Sequence, residues 1–217
     1  MRLTALLLLL PLAACGTDSG ASLLDTGRWF GGGAAVVEEE GEPEGPILRL
    51  AQGRRGADAR LIAQQGERRM WRTRAGVVVA TDGVRVVATS GLPMMVTATR
   101  FDGPDPLAEP ATLLQRSADA RRVVDLMTAS REPEGMRFGV TLQCRLVSRP
   151  AENDLVLIVE TCQGAGLGRI RNRFWLERES LAIQASEQWV GPGVAPLTIE
   201  HNVAAVAEEP TTAPAAN

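Results

Sequence analysis

The chain has no lysine, no tyrosine and a single histidine, His201. It also has only three cysteines and few aromatic residues. A Ser-His-Asp arrangement would have to run through His201, near the C-terminus, and no G-x-S-x-G accompanies it. The plain reading of His201 is a strand-end side chain. There is no H-E-x-x-H and no P-loop. Cys144 and Cys162 with one distant histidine are too few ligands for zinc, so neither a metal nor a cofactor is expected. The missing lysine, beside abundant arginine, alanine and glycine, reflects a GC-rich coding composition rather than a mechanism. Nothing after residue 14 is long and apolar enough to span a membrane.

The start of the chain is more specific. Met1-Arg2 supplies a positive charge, Leu6–Leu10 an apolar run, and Leu12-Ala13-Ala14-Cys15 a small-residue site ending in cysteine. The run is too short to cross the roughly 20-residue span of a bilayer and reads as a secretory signal over 1–14. An aliphatic residue, two small ones and a cysteine resemble the bacterial lipobox, in which the thiol is alkylated by diacylglyceryl, the peptide is cut before it and the new amine is acylated. Two or three acyl chains give stable anchoring where one is marginal. Gly16, in place of Asp, points to the outer membrane. Cleavage leaves 203 residues and moves the formal charge from −3 to −4, enough chain for one domain with a sizeable core or at most two small ones.

Export brings an oxidising compartment, where Cys144 and Cys162 are free to pair. "MRFGVTLQCRLVS" and "DLVLIVETC" are strand-like, and "RPAEND" between them carries turn residues. The midpoint of the two cysteines is residue 153, inside that turn, so a hairpin puts them opposite each other within bridging distance. Two buried free thiols are the alternative.

Residues 15–45 hold a Gly triplet, a Glu triplet and a Pro-Gly-rich end, with too little periodic apolar surface to build a core. As a flexible tether of ~30 residues they would reach about 30 Å. Residues 204–217 read as a disordered tail by composition. From Pro46 to 203 the pattern is β: short apolar runs cut by Gly, Asp or Pro, with Asp82-Gly83 as a strong hairpin signal. Ser117 and Asp119 could cap a helix over "RRVVDLMTA", but its paired valines favour a strand. The expected fold is all-β, an antiparallel sandwich or barrel-like domain.

Carboxylates that could work in pairs, Asp102, Asp105, Asp125, Glu160 and Glu187, occur among 26 acidic residues, so their number alone carries no weight. "DGPDP" at 102–106 reads as a rigid loop rather than a calcium loop, because prolines interrupt its carboxylates. A cluster of arginines stands out. Arg49, Arg54, Arg55, Arg60, Arg68, Arg69, Arg72 and Arg74 are offset only by Asp58 and Glu67. Guanidinium groups pair with carboxylates and phosphates, so Arg54, Arg55, Arg68, Arg69 and Arg72 are candidate contacts for an acidic polysaccharide, lipid headgroups or an acidic partner. A solvated surface paired with Glu38–Glu44 is the bland reading. Nothing calls for a nucleic acid.

The stretch "NRFWLERESLAIQASEQWVGP" carries a resemblance. Asn172, Phe174, Trp175, Ser186, Gln188, Trp189, Gly191 and Pro192 match the closing pattern of the YjbF/GfcB, or group-four capsule polysaccharide lipoprotein, family. Trp71, Gly83, Thr89, Gly91 and Leu92 match its upstream segment, and the resemblance runs over about residues 46–203. The chain departs from the pattern at "ERESL" after Trp175 and at Val84-Arg85 after Gly83. The resemblance implies an antiparallel β fold and a non-enzymatic role in exopolysaccharide or capsule export, beside an outer-membrane β-barrel or other export proteins. The protein would be anchored at the outer membrane and face the periplasm. The tryptophans then read as structural, with Trp71 and Trp189 as candidate sugar-stacking or partner contacts. Two rival readings are a polysaccharide lyase or hydrolase and a general envelope-maintenance lipoprotein. Convergence of Glu160, Glu187 or Asp125 on His201 would favour the enzyme.

Overall fold

A computed structural model of the chain describes residues 45–203; Cys15, the signal and tether segments and the 204–217 tail lie outside the described residues. The runs of alternating burial become twelve antiparallel strands. The first five, β1 Ile47–Gln52, β2 Arg55–Gln65, β3 Arg68–Thr73, β4 Val78–Asp82 and β5 Arg85–Ser90, form one meander. The second meander comprises β6 Met94–Asp102, β7 Ala118–Thr128, β8 Arg137–Pro150, β9 Leu155–Gly164, β10 Arg169–Glu177, β11 Ile183–Gln188 and β12 Leu197–Val203. β12 pairs with β1, so the strands follow chain order around the sheet and the ladder is interrupted only between β5 and β6. These consecutive strands lie alongside each other, and the sheet is a nearly closed barrel.

Local chemistry explains the turns. Asp82 and Arg85 are paired across a two-residue turn in which Gly83 adopts a φ of 55°, which a glycine reaches at little cost. In the β8–β9 hairpin, Asn153 and Asp154 take φ values of 57° and 59°, and the Leu155 N–H closes onto the Glu152 carbonyl at 3.2 Å. Two successive left-handed residues define the turn whose twist suits a hairpin, and Asn and Asp tolerate it best after glycine. That register places Cys144 directly opposite Cys162, and the two form a disulfide.

"RRVVDLMTA" is a strand, β7, as its valines indicate, and Asp119 lies within it rather than capping a helix. Ahead of it are two short elements that sequence patterning did not anticipate: a 3₁₀ turn, Pro106–Ala108, and α1, Pro110–Gln115. Each begins on a proline, whose fixed φ suits a first helical position. This segment buries Leu107 and Leu113 and is fastened to β8 where the Ser148 hydroxyl donates to the Leu113 carbonyl at 2.7 Å.

The inward phases of the strands build three apolar clusters: one around Leu48, Val79 and Ile199, one around Leu142 and the disulfide, and one around Ile158, Phe174 and Leu176. Replacing both Cys144 and Cys162 by alanine releases a constraint on the unfolded chain. The expected loss is about 3 kcal/mol for a loop of this size. Denaturant titration of the double variant, beside the parent with and without reductant, measures it.

Candidate functional site

Period two puts charged side chains among the apolar ones. Arg122 shares the inward face of β7 with Val124 and Leu126, and Glu160 shares that of β9 with Ile158 and Cys162. Arg85, at the start of β5, completes the group. Glu160 is fully buried, with Arg85 Nη1 3.0 Å and Arg122 Nη2 3.5 Å from its Oε2. The Asn172 amide, directly across the β9–β10 ladder, donates to the same oxygen. Arg85 also grips Asp105 through two hydrogen bonds, of 2.6 and 2.9 Å, and its guanidinium lies 5.0 and 5.2 Å from the ring centroids of Phe101 and Phe174. Two guanidinium groups and two carboxylates balance. Burial pushes the Glu160 carboxyl upward, but Arg122, Arg85 and Asn172 outweigh it and hold the group down at about 2.

Asn172 and Gln188 extend the network to neighbouring strands. The Asn172 carbonyl accepts from the Trp189 N–H at 2.7 Å. The Gln188 carboxamide accepts from the Val86 N–H at 2.9 Å and donates to the Val84 carbonyl at 2.8 Å. Bonding to the residues on either side of Arg85 is what a parallel strand would do there. Gln188 thus supplies, from a side chain, the ladder that β5 lacks on its open edge. It also donates to Ser186 Oγ at 3.0 Å, and Ser186 Oγ shares a 3.0 Å hydrogen bond with His201 Nε2. Burial lowers the His201 imidazole to about 4, so the ring is neutral at pH 7.

Arg85, Asp105 and His201 line a cleft of about 1230 Å³ at one end of the barrel. Its walls come from the β2–β3 and β4–β5 turns, the end of β6 with the segment that follows, the β10–β11 loop, and the points where β1 begins and β12 ends. Arg85 and Asp105 form part of the floor, with Trp71 and Phe101 beside them.

The sequence candidates do not form one surface. Arg54 and Arg55 are exposed at the start of β2, while Arg68 and Arg69 follow its far end, about 30 Å away at the usual strand rise. Arg68 pairs with Asp82 at 3.2 Å. Arg72 is exposed on the outer face, directly opposite Arg60. Arg69 lies in the inward phase with Trp71 and is half-buried at the cleft. Trp71 is a core residue that also lines the cleft, and its indole N–H donates to Thr81 Oγ1 at 3.2 Å. Trp189 is half-buried against the disulfide cluster. Trp175 is half-buried on β10.

Of the candidate carboxylates, Asp105 and Glu160 meet at Arg85, and the other three are dispersed. Glu187 pairs with Arg173 at 2.5 Å, Asp102 with Arg121 at 2.8 Å and Asp125 with Arg100 at 3.2 Å. None of them hydrogen-bonds to His201 among the described residues. Sγ of Cys144, Sγ of Cys162 and a Glu160 oxygen lie within 4.8 Å of one another, but the sulfurs are bonded to each other and are not thiolate ligands. Sequence reasoning named Asp105 without a role and missed Arg85 and Arg122 as interior charges. The signal for Arg122 was a cation in phase with Val124 and Leu126.

A nearly closed antiparallel barrel with a charged interior and a cleft at one end defines the class. The chain belongs to the group 4 capsule polysaccharide lipoprotein family (GfcB, YjbF), whose model matches residues 48–201. Membership of a lipoprotein family associates the chain with the cell envelope. The fold is similar to the crystal structure of the hypothetical lipoprotein YmcC from Escherichia coli K12, with a TM-score of 0.62 and 17% identity over 73% of this chain and 84% of that one. A comparison with curated proteins finds no match.

Removing Glu160's charge strands the buried Arg122 and leaves Arg85 to Asp105 alone, so Glu160→Gln is expected to cost about 3–5 kcal/mol. Glu160→Leu combined with Arg122→Met should recover part of that in denaturant titrations. Its carboxyl is depressed from 4.5 to about 2, so the stability it contributes is complete above pH 4.5 and drains away as pH falls towards 2. His201 acts higher. Its folded value lies below the unfolded 6.5, so the unfolded chain binds the proton better and stability falls from pH 6.5 down to about 4. His201→Gln is expected to flatten thermal stability across that interval and leave the slope below pH 4 unchanged.

Proposed function

We propose that this protein is a non-enzymatic accessory of capsule or exopolysaccharide secretion. Acyl chains on Cys15 hold it at the outer membrane, facing the periplasm, and the β domain docks on an export partner or guides the polymer. The observation that carries this reading is the family match across 48–201, together with Leu12-Ala13-Ala14-Cys15 ahead of the domain. The state of the polar groups supports a passive role. The buried carboxylate Glu160 is neutralised by arginine, and Ser186, beside His201, is fully buried and therefore poorly placed to attack a substrate. The cleft lies at the end of the barrel where β1 begins.

The test is polymer output in a deletion strain complemented with wild type or Cys15→Ser. Secreted and cell-bound polysaccharide should fall on deletion, return with wild type and stay low with Cys15→Ser. Unchanged amount with altered chain length or composition would replace this reading with a polymer-modifying enzyme. No change in either would leave only a general envelope role.

A further inference from the structure

We propose that the cleft is a binding site for an acidic saccharide and that Arg69 takes the carboxylate. The assignment of polymer class rests on the function proposed above; the assignment of the anion site rests on geometry alone.

Strand phase determines where Arg69 points. It alternates with exposed Arg68 and Met70 and shares its face with buried Trp71 and Thr73, so its side chain enters the cleft. The other cleft arginines are satisfied. Arg68 holds Asp82, Arg100 holds Asp125, and Arg85 is shared by Asp105 and Glu160. Arg69 alone among them has neither an ion pair nor a side-chain hydrogen bond among the described residues, although it is half-buried. A guanidinium partly withdrawn from water gains most from a planar anion that accepts both arms of its fork.

The surroundings favour a sugar around that anion. Leu61, Phe101 and Ile183 offer apolar walls for the C–H faces of a ring, and Gln64 and Thr81 add polar groups on neighbouring strands. The volume, about 1230 Å³, exceeds that of typical small-ligand pockets and suits several linked residues rather than one. Arg72, on the same strand but facing outward, offers a matched control of equal charge.

The experiment is calorimetric titration of the full-length chain in detergent with a glucuronate-containing hexasaccharide, its carboxyl-reduced form, and inorganic phosphate. Wild type should bind the acidic hexamer at least tenfold tighter than the reduced form or phosphate. Arg69→Gln should lose at least tenfold, Arg69→Lys should fall between, and Arg72→Gln should stay within twofold of wild type. Thermal unfolding of each variant checks that it is folded. Equal losses in Arg69→Gln and Arg72→Gln would overturn the site in favour of a diffuse charge effect. Equal binding of the reduced hexamer would overturn the carboxylate assignment, and phosphate binding as tightly as the hexamer would overturn the saccharide. Failure of wild type to bind overturns the site while leaving the secretion reading to the Cys15→Ser complementation. Binding without a secretion defect does the reverse.

Discussion

Glu160 is a carboxylate with no access to water, held between two arginines that are themselves buried. Transferring such charges into a low-dielectric interior costs several kcal/mol per ion, and close pairing with well-directed hydrogen bonds has to offset it. The barrel draws the compensating groups from several strands at once, Arg85 from β5, Arg122 from β7 and Asn172 from β10 around Glu160 on β9, and leaves only Glu160 Oε1 and Arg122 Nε without a hydrogen bond among the described residues. Because each partner comes from a different strand, the geometry exists only when the sheet has curled far enough to bring β5 across to β9. Hydrophobic burial would favour many closures of a twelve-stranded sheet. The charge cluster favours one.

The closure it favours is incomplete in a specific place. No backbone ladder joins β5 to β6, so β5 presents unpaired N–H and C=O groups that must be satisfied or exposed. Gln188 reaches across to bond the groups on both sides of Arg85, and the Thr89 hydroxyl accepts from the Val96 N–H at 3.2 Å on the adjoining strand. Ionic pairing and edge satisfaction therefore meet at Arg85. The same residue ties β5 to Asp105, which in turn accepts from the Leu107 N–H at 3.1 Å and sets the 3₁₀ turn that begins the covering segment. A rigid loop at "DGPDP" was evident from its prolines; that its second aspartate anchors a buried arginine was not.

Much of the fold was legible because period two is a local property. The strands, the Asp82-Gly83 turn and the cysteine pairing all depend on residues close in sequence, where alternation and turn chemistry suffice. The charge network depends on contacts such as Arg85 with Glu160, 75 residues apart, for which periodicity gives only one hint: a charge in the buried phase. The resemblance carried by Asn172, Ser186 and Gln188 was legible as a pattern but not as a mechanism. In the structure these are interior polar groups that hold β9, β11 and β5 in place. Gly191 belongs with them, since its φ of 145° excludes a side chain and a Cβ there would overlap Met94. The arginine-rich segment misled in the opposite way. Proximity in sequence suggested one basic face, but an eleven-residue strand carries Arg55 and Arg68 to opposite ends of the barrel.

That separation gives the two ends different characters. The end bearing Arg54 and Arg55 is an exposed hairpin turn in water, where isolated guanidinium groups gain little from any one partner. The other end has a floor fixed by the Arg85–Asp105 bridge, apolar walls, and, in Arg69, an inward arginine without a charged partner among the described residues. A fixed floor matters for binding because a site that does not have to rearrange loses less free energy to ordering when it closes on a ligand. The buried ion cluster, which a fold could replace with apolar side chains at little loss of stability, thus gains a use: it holds the mouth of the barrel in one shape while leaving it open.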